Sequence, residues 1–268
     1  MSDLRSKIQK PKKQRFKTAL VVLALSLLYI WGFSGIDYNG ISANATNMVK
    51  AIGSGFLDPD WSYVYQPGSN DDLISKLLET AAIAIVGVSL SVLIAFPIGF
   101  WAARNVSMMR VISGSGKSVL SFLRTFPDIV MALIFIAVVG PNAYAGMLAL
   151  GVSAVGMLGK LYAEEIEAID RGPSEALISA GANKLQVLWF AVVPEVLPGF
   201  ISATLYRFEI NMRSAATLGL IGAGGIGYPL LTAIQMRNWD RVSIILIGLV
   251  IFVLLIDLAS SALRKRVV

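Results

Sequence analysis

Residues 129–159 read IVMALIFIAVVGPNAYAGMLALGVSAVGMLG, thirty-one positions without a charge. A helix crosses the roughly 30 Å apolar layer of a bilayer with about 20 residues, so this run is too long for one ordinary span and too short for two. It breaks naturally at Gly140-Pro141-Asn142, a turn signal. The residues after the break open one span. The span before it must reach back to about Val119, and it then carries Arg124 and Asp128 inside it at an i,i+4 spacing.

Outward from this stretch the reading repeats. Thr18 to Ile36 is uncharged over 19 residues, and Thr80 to Ala103 over 24. Val242 to Ile256 supplies 15, and reaches Leu263 if Asp257 sits near the interface. Val196–Leu218 reads as a helix even though it contains Arg207, Glu209 and Arg213. The stretch Gly219–Met236 is glycine-rich, and Pro229 disrupts a helix start there. Such backbone is tolerated at membrane depth only where protein or a water-filled cavity covers it, so it is read as a loop or re-entrant piece. The expectation is an all-α integral membrane protein with six transmembrane helices. Composition agrees: 56% of the residues are hydrophobic and 15% charged, against about 45–50% and about 25% in soluble domains.

Charge sets the expected orientation, because Lys and Arg concentrate on the cytoplasmic side. With six spans, sixteen Lys/Arg fall on the side that holds both termini and four on the other. Both termini are therefore expected in the cytoplasm. The net charge of +6 then reads as an orientation signal and not as a nucleic-acid footprint. The expected organisation is a basic tail over 1–17, a first transmembrane helix over 18–36, an external segment over 37–72, and a core over 73–268. A short helix is expected near Ala45–Phe56. The apolar run after the basic tail exceeds a signal-peptide core, and Trp31-Gly32-Phe33 is a poor cleavage site, so an uncleaved first span is expected.

Several chemistries are excluded. The chain has no His and no Cys, which removes thiol nucleophiles, Cys/His zinc sites and histidine acid–base pairs. Gly222-Ala223-Gly224-Gly225-Ile226-Gly227 matches a dinucleotide fingerprint by letter, but no strand precedes it, Pro229 disrupts the helix start, and Asp240 downstream lies beyond a polar stretch and on the wrong face of the membrane. Gly222, Gly224, Gly225 and Gly227 are read instead as a gate or close-packing element. Ser113-Gly114-Ser115-Gly116-Lys117-Ser118 lacks the earlier glycine of a phosphate loop, since Val111 stands there.

The most informative stretch is the loop 164–195. Two short helices are expected, about Ser174–Ala180 with Ser174 as N-cap and about Ala182–Phe190, joined near Gly181. Their apolar positions need a partner, and a helix-in-groove contact fits. Glu175-Ala176-Leu177 is followed by three residues and Gly181, and nine residues later by Ala191-Val192-Val193-Pro194. This spacing resembles the coupling loop of inner-membrane permease subunits of ABC importers. Ser121 to Asp128, Gly156 to Glu164, Leu205 to Ala215 and the Gly222–Gly227 run are similar to the phosphonate-type branch. Methionine permeases share a similar loop and glycine run.

The resemblance implies a type I ABC importer permease fold in a bacterial inner membrane. The chain would pair with a second permease copy, as a homodimer, and with two cytoplasmic ATPase subunits and an external binding protein. ATP and magnesium would reside on the ATPase, leaving this chain without cofactor or catalytic site. Glu175, Ala176, Leu177, Gly181, Ala182 and Pro194 would couple it to the ATPase. The cargo would be phosphonate, phosphite or phosphate, moved by alternating access, with methionine or a quaternary amine as the other reading.

Charges inside spans are expensive and point to function. Arg124, Asp128, Arg207, Glu209, Asn211, Arg213 and Ser214 are therefore expected to line the translocation path or to form intramembrane ion pairs. Glu209 and Arg213 stand in the favourable i,i+4 order for pairing with each other.

Overall fold

Proline and glycine placement decides where the apolar helices start, bend and stop. The computed structural model describes residues 12–35, 41–105 and 110–267, and every regular element among them is helical. The chain divides into two units, Met1–Gly53 and Ser54–Val268.

In the first unit, α1 (Lys12–Ser34) exposes Leu20, Leu23, Leu27 and Trp31. A helix that is apolar all round suits lipid and not water. The basic residues before Lys12 lie outside the described residues. The helix α2 (Ile41–Leu57) contains the short helix expected at Ala45–Phe56 and runs into the second unit.

The second unit is a helical bundle. It comprises α3 (Leu73–Ala102), α4 (Arg110–Leu123), α5 (Asp128–Val139), α6 (Ala143–Ala168), α7 (Gly172–Ser179), α8 (Lys184–Val187), α9 (Val193–Gly219), α10 (Gly227–Gln235) and α11 (Trp239–Val267). A 3-10 turn, Trp61–Tyr63, precedes α3. Asp72 caps α3 by accepting the Ser75 N–H, and hydrogen bonding from the Ser75 side chain, helped by that N–H, holds its carboxyl below the usual range. Asn142 caps α6 in the same way, through the Ala145 N–H.

Helix α6 is the central post. Small residues let its neighbours approach, as expected where packing, not water exclusion, joins helices. A Cβ at Gly99 of α3 would lie 2.9 Å from Tyr162 Cβ of α6, and one at Gly87 would lie 2.9 Å from Leu150 Cβ. Between these contacts the buried Ser91 hydroxyl donates to the Gly151 carbonyl at 2.8 Å. Larger side chains fill the remaining space: Tyr162 stacks on Phe200 of α9 with centroids 4.1 Å apart.

Among the described residues five helices are long and apolar enough to cross a membrane, and six if the pair α4–α5 counts as one span. That pair corrects the expectation of a continuous third span. The chain bends by 79° between Leu123 and Asp128. Pro127 disfavours helical backbone at Phe126 and then serves as the N-cap position of α5. Arg124 therefore lies in the break and does not share a helix turn with Asp128.

Two further expectations are corrected. The glycine-rich stretch after α9 is not loop throughout: α10 begins at Gly227 and carries Pro229 in its first turn, where a missing N–H costs no helical bond. In the 164–195 loop, Arg171 and not Ser174 occupies the N-cap position of α7. The second helix begins at Lys184, because Asn183 and Gln186 form a capping box.

Candidate functional site

Two regions gather the predicted site residues. The first is the α7–α8 segment. Glu175, Ala176 and Leu177 lie on α7, Gly181 follows it, Ala182 leads toward α8, and Pro194 sits in the first turn of α9. Gly181 has φ +86°. Its N–H donates to the Ile178 carbonyl at 2.9 Å, and the Ala182 N–H donates to the Leu177 carbonyl at 3.0 Å. This is a Schellman closure, and only glycine takes that conformation without strain.

No residue of α7 or α8 is buried. Ile178, Leu185, Trp189 and Phe190 expose 60–74% of their surface. That is a concentrated apolar surface on a short helical hairpin. Beside it opens a cavity of about 670 Å³ lined by Arg104, Asp170, Glu175, Lys184 and Val192, among others. The hairpin is tied to the bundle at its roots. Glu195 accepts the Asp170 N–H at 2.9 Å, and Glu167 accepts Lys117 Nζ at 2.7 Å. A π-helical turn, Leu188–Val192, joins α8 to α9. Pro194 has no N–H to continue the regular ladder, and the Val193 N–H reaches back five residues to Leu188.

The second region lies along α9. Its charged residues pair across helices on two faces. On one face Arg207 lies 3.6 Å from Asp128 at the start of α5, and the Ser214 hydroxyl donates to the same carboxylate at 2.9 Å. Ser153 and Met157 of α6 meet the guanidinium at 3.5 Å. Asn211, one turn beyond Arg207, is fully buried. On the other face Glu209 pairs with Arg264 of α11, and Arg213 lies 3.8 Å from Asp257. The expected Glu209–Arg213 side-chain pair is therefore replaced by two bonds to α11, a helix whose packing no local pattern announces. Arg124 is not brought into this cluster. It lines a separate cavity of about 170 Å³ with Lys117, Lys160, Glu164 and Glu167.

The four glycines form a tight hairpin between α9 and α10. Gly222, Gly224 and Gly225 have φ of +93°, +81° and +73°. Glu79 accepts the Gly225 N–H at 3.0 Å, and the Thr80 hydroxyl accepts the Ile226 N–H at 2.9 Å. A Cβ at Gly219 would sit 2.6 Å from the Gly224 carbonyl oxygen. Close backbone packing is thus the local role of this run. Near the same end of the bundle, Arg241 stacks 4.4 Å over the ring of buried Tyr63. Burial, with the charge of Asp71, pushes the Tyr63 hydroxyl up to about 12.

The sequence profile described as "Binding-protein-dependent transport system inner membrane component" matches residues 95–268. The chain belongs to that family. It is 36% identical over 250 residues to the phosphite transport system permease protein PtxC of Stutzerimonas stutzeri, covering 92% of this chain and 87% of that one. It is 34% identical over 197 residues to the phosphate-import permease protein PhnE of Mycolicibacterium smegmatis, covering 74% and 37%. Among solved structures it is similar to a chain of the inward-facing MetNI methionine ABC transporter, with TM-score 0.65 and 23% identity over 73% of this chain and 96% of that one. That likeness is one of fold. As an inner-membrane transport component with several apolar helices, the chain is a multi-pass protein of the inner membrane.

Proposed function

We propose that this permease is the transmembrane subunit of an ATP-driven importer for a phosphorus oxyanion: phosphite, phosphate or a phosphonate. It works with a second permease copy, two ATPase subunits that hold ATP and magnesium, and an external binding protein. The bent α4–α5 pair counts as one of six spans, and the charge bias puts both termini and the α7–α8 hairpin in the cytoplasm. The exposed apolar face of that hairpin seats in a groove on the ATPase, and closure of the ATPase pair carries α9 with it. The similarity to phosphite and phosphate permeases supports the cargo class.

One observation carries this reading from transporter to oxyanion transporter. The Arg213 side chain is 56% exposed within a membrane-spanning helix, and its ion pair with Asp257 is long at 3.8 Å. An arginine at such depth is not stable facing lipid, so it faces an aqueous path or the partner permease. A guanidinium there offers two parallel N–H donors to a tetrahedral oxyanion. Uptake of labelled phosphite, phosphate and methylphosphonate by vesicles carrying Arg213→Ala tests the assignment. Loss of a charge-assisted bond predicts a fall of about tenfold or more at unchanged assembly. Full uptake by assembled Arg213→Ala complexes would remove Arg213 from the path.

A further inference from the structure

The face of α9 that meets α5 and α6 is electrostatically incomplete. Arg207 is 6% exposed. Its nearest polar neighbours are all distant: Ser153 Oγ and Met157 S at 3.5 Å and Asp128 Oδ1 at 3.6 Å. Its Nε has no partner. One helical turn on, Asn211 is 0% exposed, and neither Nδ2 nor Oδ1 has a partner. A buried polar group left without a hydrogen bond costs about 1–3 kcal/mol, and more where it is charged. Two such side chains, adjacent at i,i+4, are not explained by packing, since a Leu at 211 would fill the same space without the penalty.

The unmet groups have a definite chemistry. Arg207 Nε and Asn211 Nδ2 are donors, and Asn211 Oδ1 is an acceptor. Asp128, whose other oxygen already accepts from Ser214 at 2.9 Å, is a carboxylate held near this set by the first turn of α5. It stands where an anion would stand, but too far to satisfy the guanidinium. We infer that Arg207 and Asn211 form a binding site for a singly protonated tetrahedral oxyanion, with Asp128 as the tethered anion that occupies it between transport cycles. The ligand's unprotonated oxygens accept from Arg207 and Asn211 Nδ2, and its P–OH donates to Asn211 Oδ1. Displacement of the Asp128 carboxylate from Arg207 exchanges one anion for the other. The acceptor on Asn211 gives the site selectivity for the phosphite and phosphonate monoanions and for singly protonated phosphate, because an oxyanion without a proton leaves Oδ1 unpaired.

This inference rests on the oxyanion reading above. Its test is phosphite, phosphate and methylphosphonate uptake, measured per ATP hydrolysed, in proteoliposomes holding the complete transporter with its binding protein. Asn211→Leu keeps the volume and removes the amide. It should lower uptake per ATP by about tenfold, the effect of one lost hydrogen bond to a charged ligand. Arg207→Lys, which keeps the charge but not the fork, should lower it as well. A reduced amount of folded complex would not change this ratio. Wild-type uptake per ATP in Asn211→Leu would overturn the site while leaving the cargo reading standing. Absence of uptake of all three oxyanions by the wild-type transporter would overturn both.

Discussion

At the scale of single residues, the membrane charges fall into two kinds. Arg207, Asp128 and Glu209 are buried or half-buried between helices, whereas Arg213 is exposed. Buried pairs are costly to break, because the survivor keeps its charge without a partner. Arg207→Ala leaves the half-buried Asp128 with Ser214 alone and should destabilise the permease by about 1–3 kcal/mol, read as a lower midpoint of thermal unfolding in detergent. The double variant Arg207→Met with Asp128→Leu should recover much of that loss, since no unpaired charge remains. Equal destabilisation by the single and double variants would contradict the pairing of these two residues. Uptake should stay low in both. The pairing of α9 with α11 was not legible in the sequence. Glu209 and Arg213 satisfy a local i,i+4 rule, but each has a stronger partner fifty-five or forty-four positions away, and sequence spacing carries no information about that distance.

At the scale of elements, the α7–α8 hairpin was the most legible part. Its glycine, its proline and its spacing all have local physical causes: a left-handed closure at Gly181 and a missing N–H at Pro194. Gly181→Val forces a β-branched side chain into φ +86° and should cost the hairpin its shape. ATPase subunits should then co-purify poorly, although far-ultraviolet circular dichroism of the bundle stays near wild type. Retention of the ATPase at wild-type yield would speak against docking through this hairpin. The capping box at Asn183 and Gln186 was equally local and was available to be read. The break between α4 and α5 was signalled by Pro127, but the demand for a span of normal length outweighed it. The glycine hairpin makes the same point from the other side. Pro229 reads as a disruption until the helix start is placed two residues before it. Glu79 and Thr80, which hold that hairpin, lie about 145 positions away and carry no local signal. Gly225→Val should strain φ +73° and press on Thr80, and it should lower the yield of folded permease.

At the scale of the whole molecule, the sparse chemistry of the chain has a simple physical meaning. A protein with no His and no Cys carries no imidazole or thiol chemistry. What it has is a helical frame, an exposed apolar hairpin near one end of α9, a closely packed glycine hairpin near the other, and arginines between. On the proposed account energy enters at the hairpin and acts on the anion sites along α9, and selection is shared between the external protein and Asn211. The account is tested most directly by reconstituting the permease with its ATPase and binding protein in liposomes and following phosphite, phosphate and methylphosphonate. It predicts accumulation of at least one of them that requires ATP and the loaded binding protein together, and that falls about tenfold or more with Arg213→Ala. Uptake that proceeds without ATP, or a functional complex that moves none of the three, would contradict it.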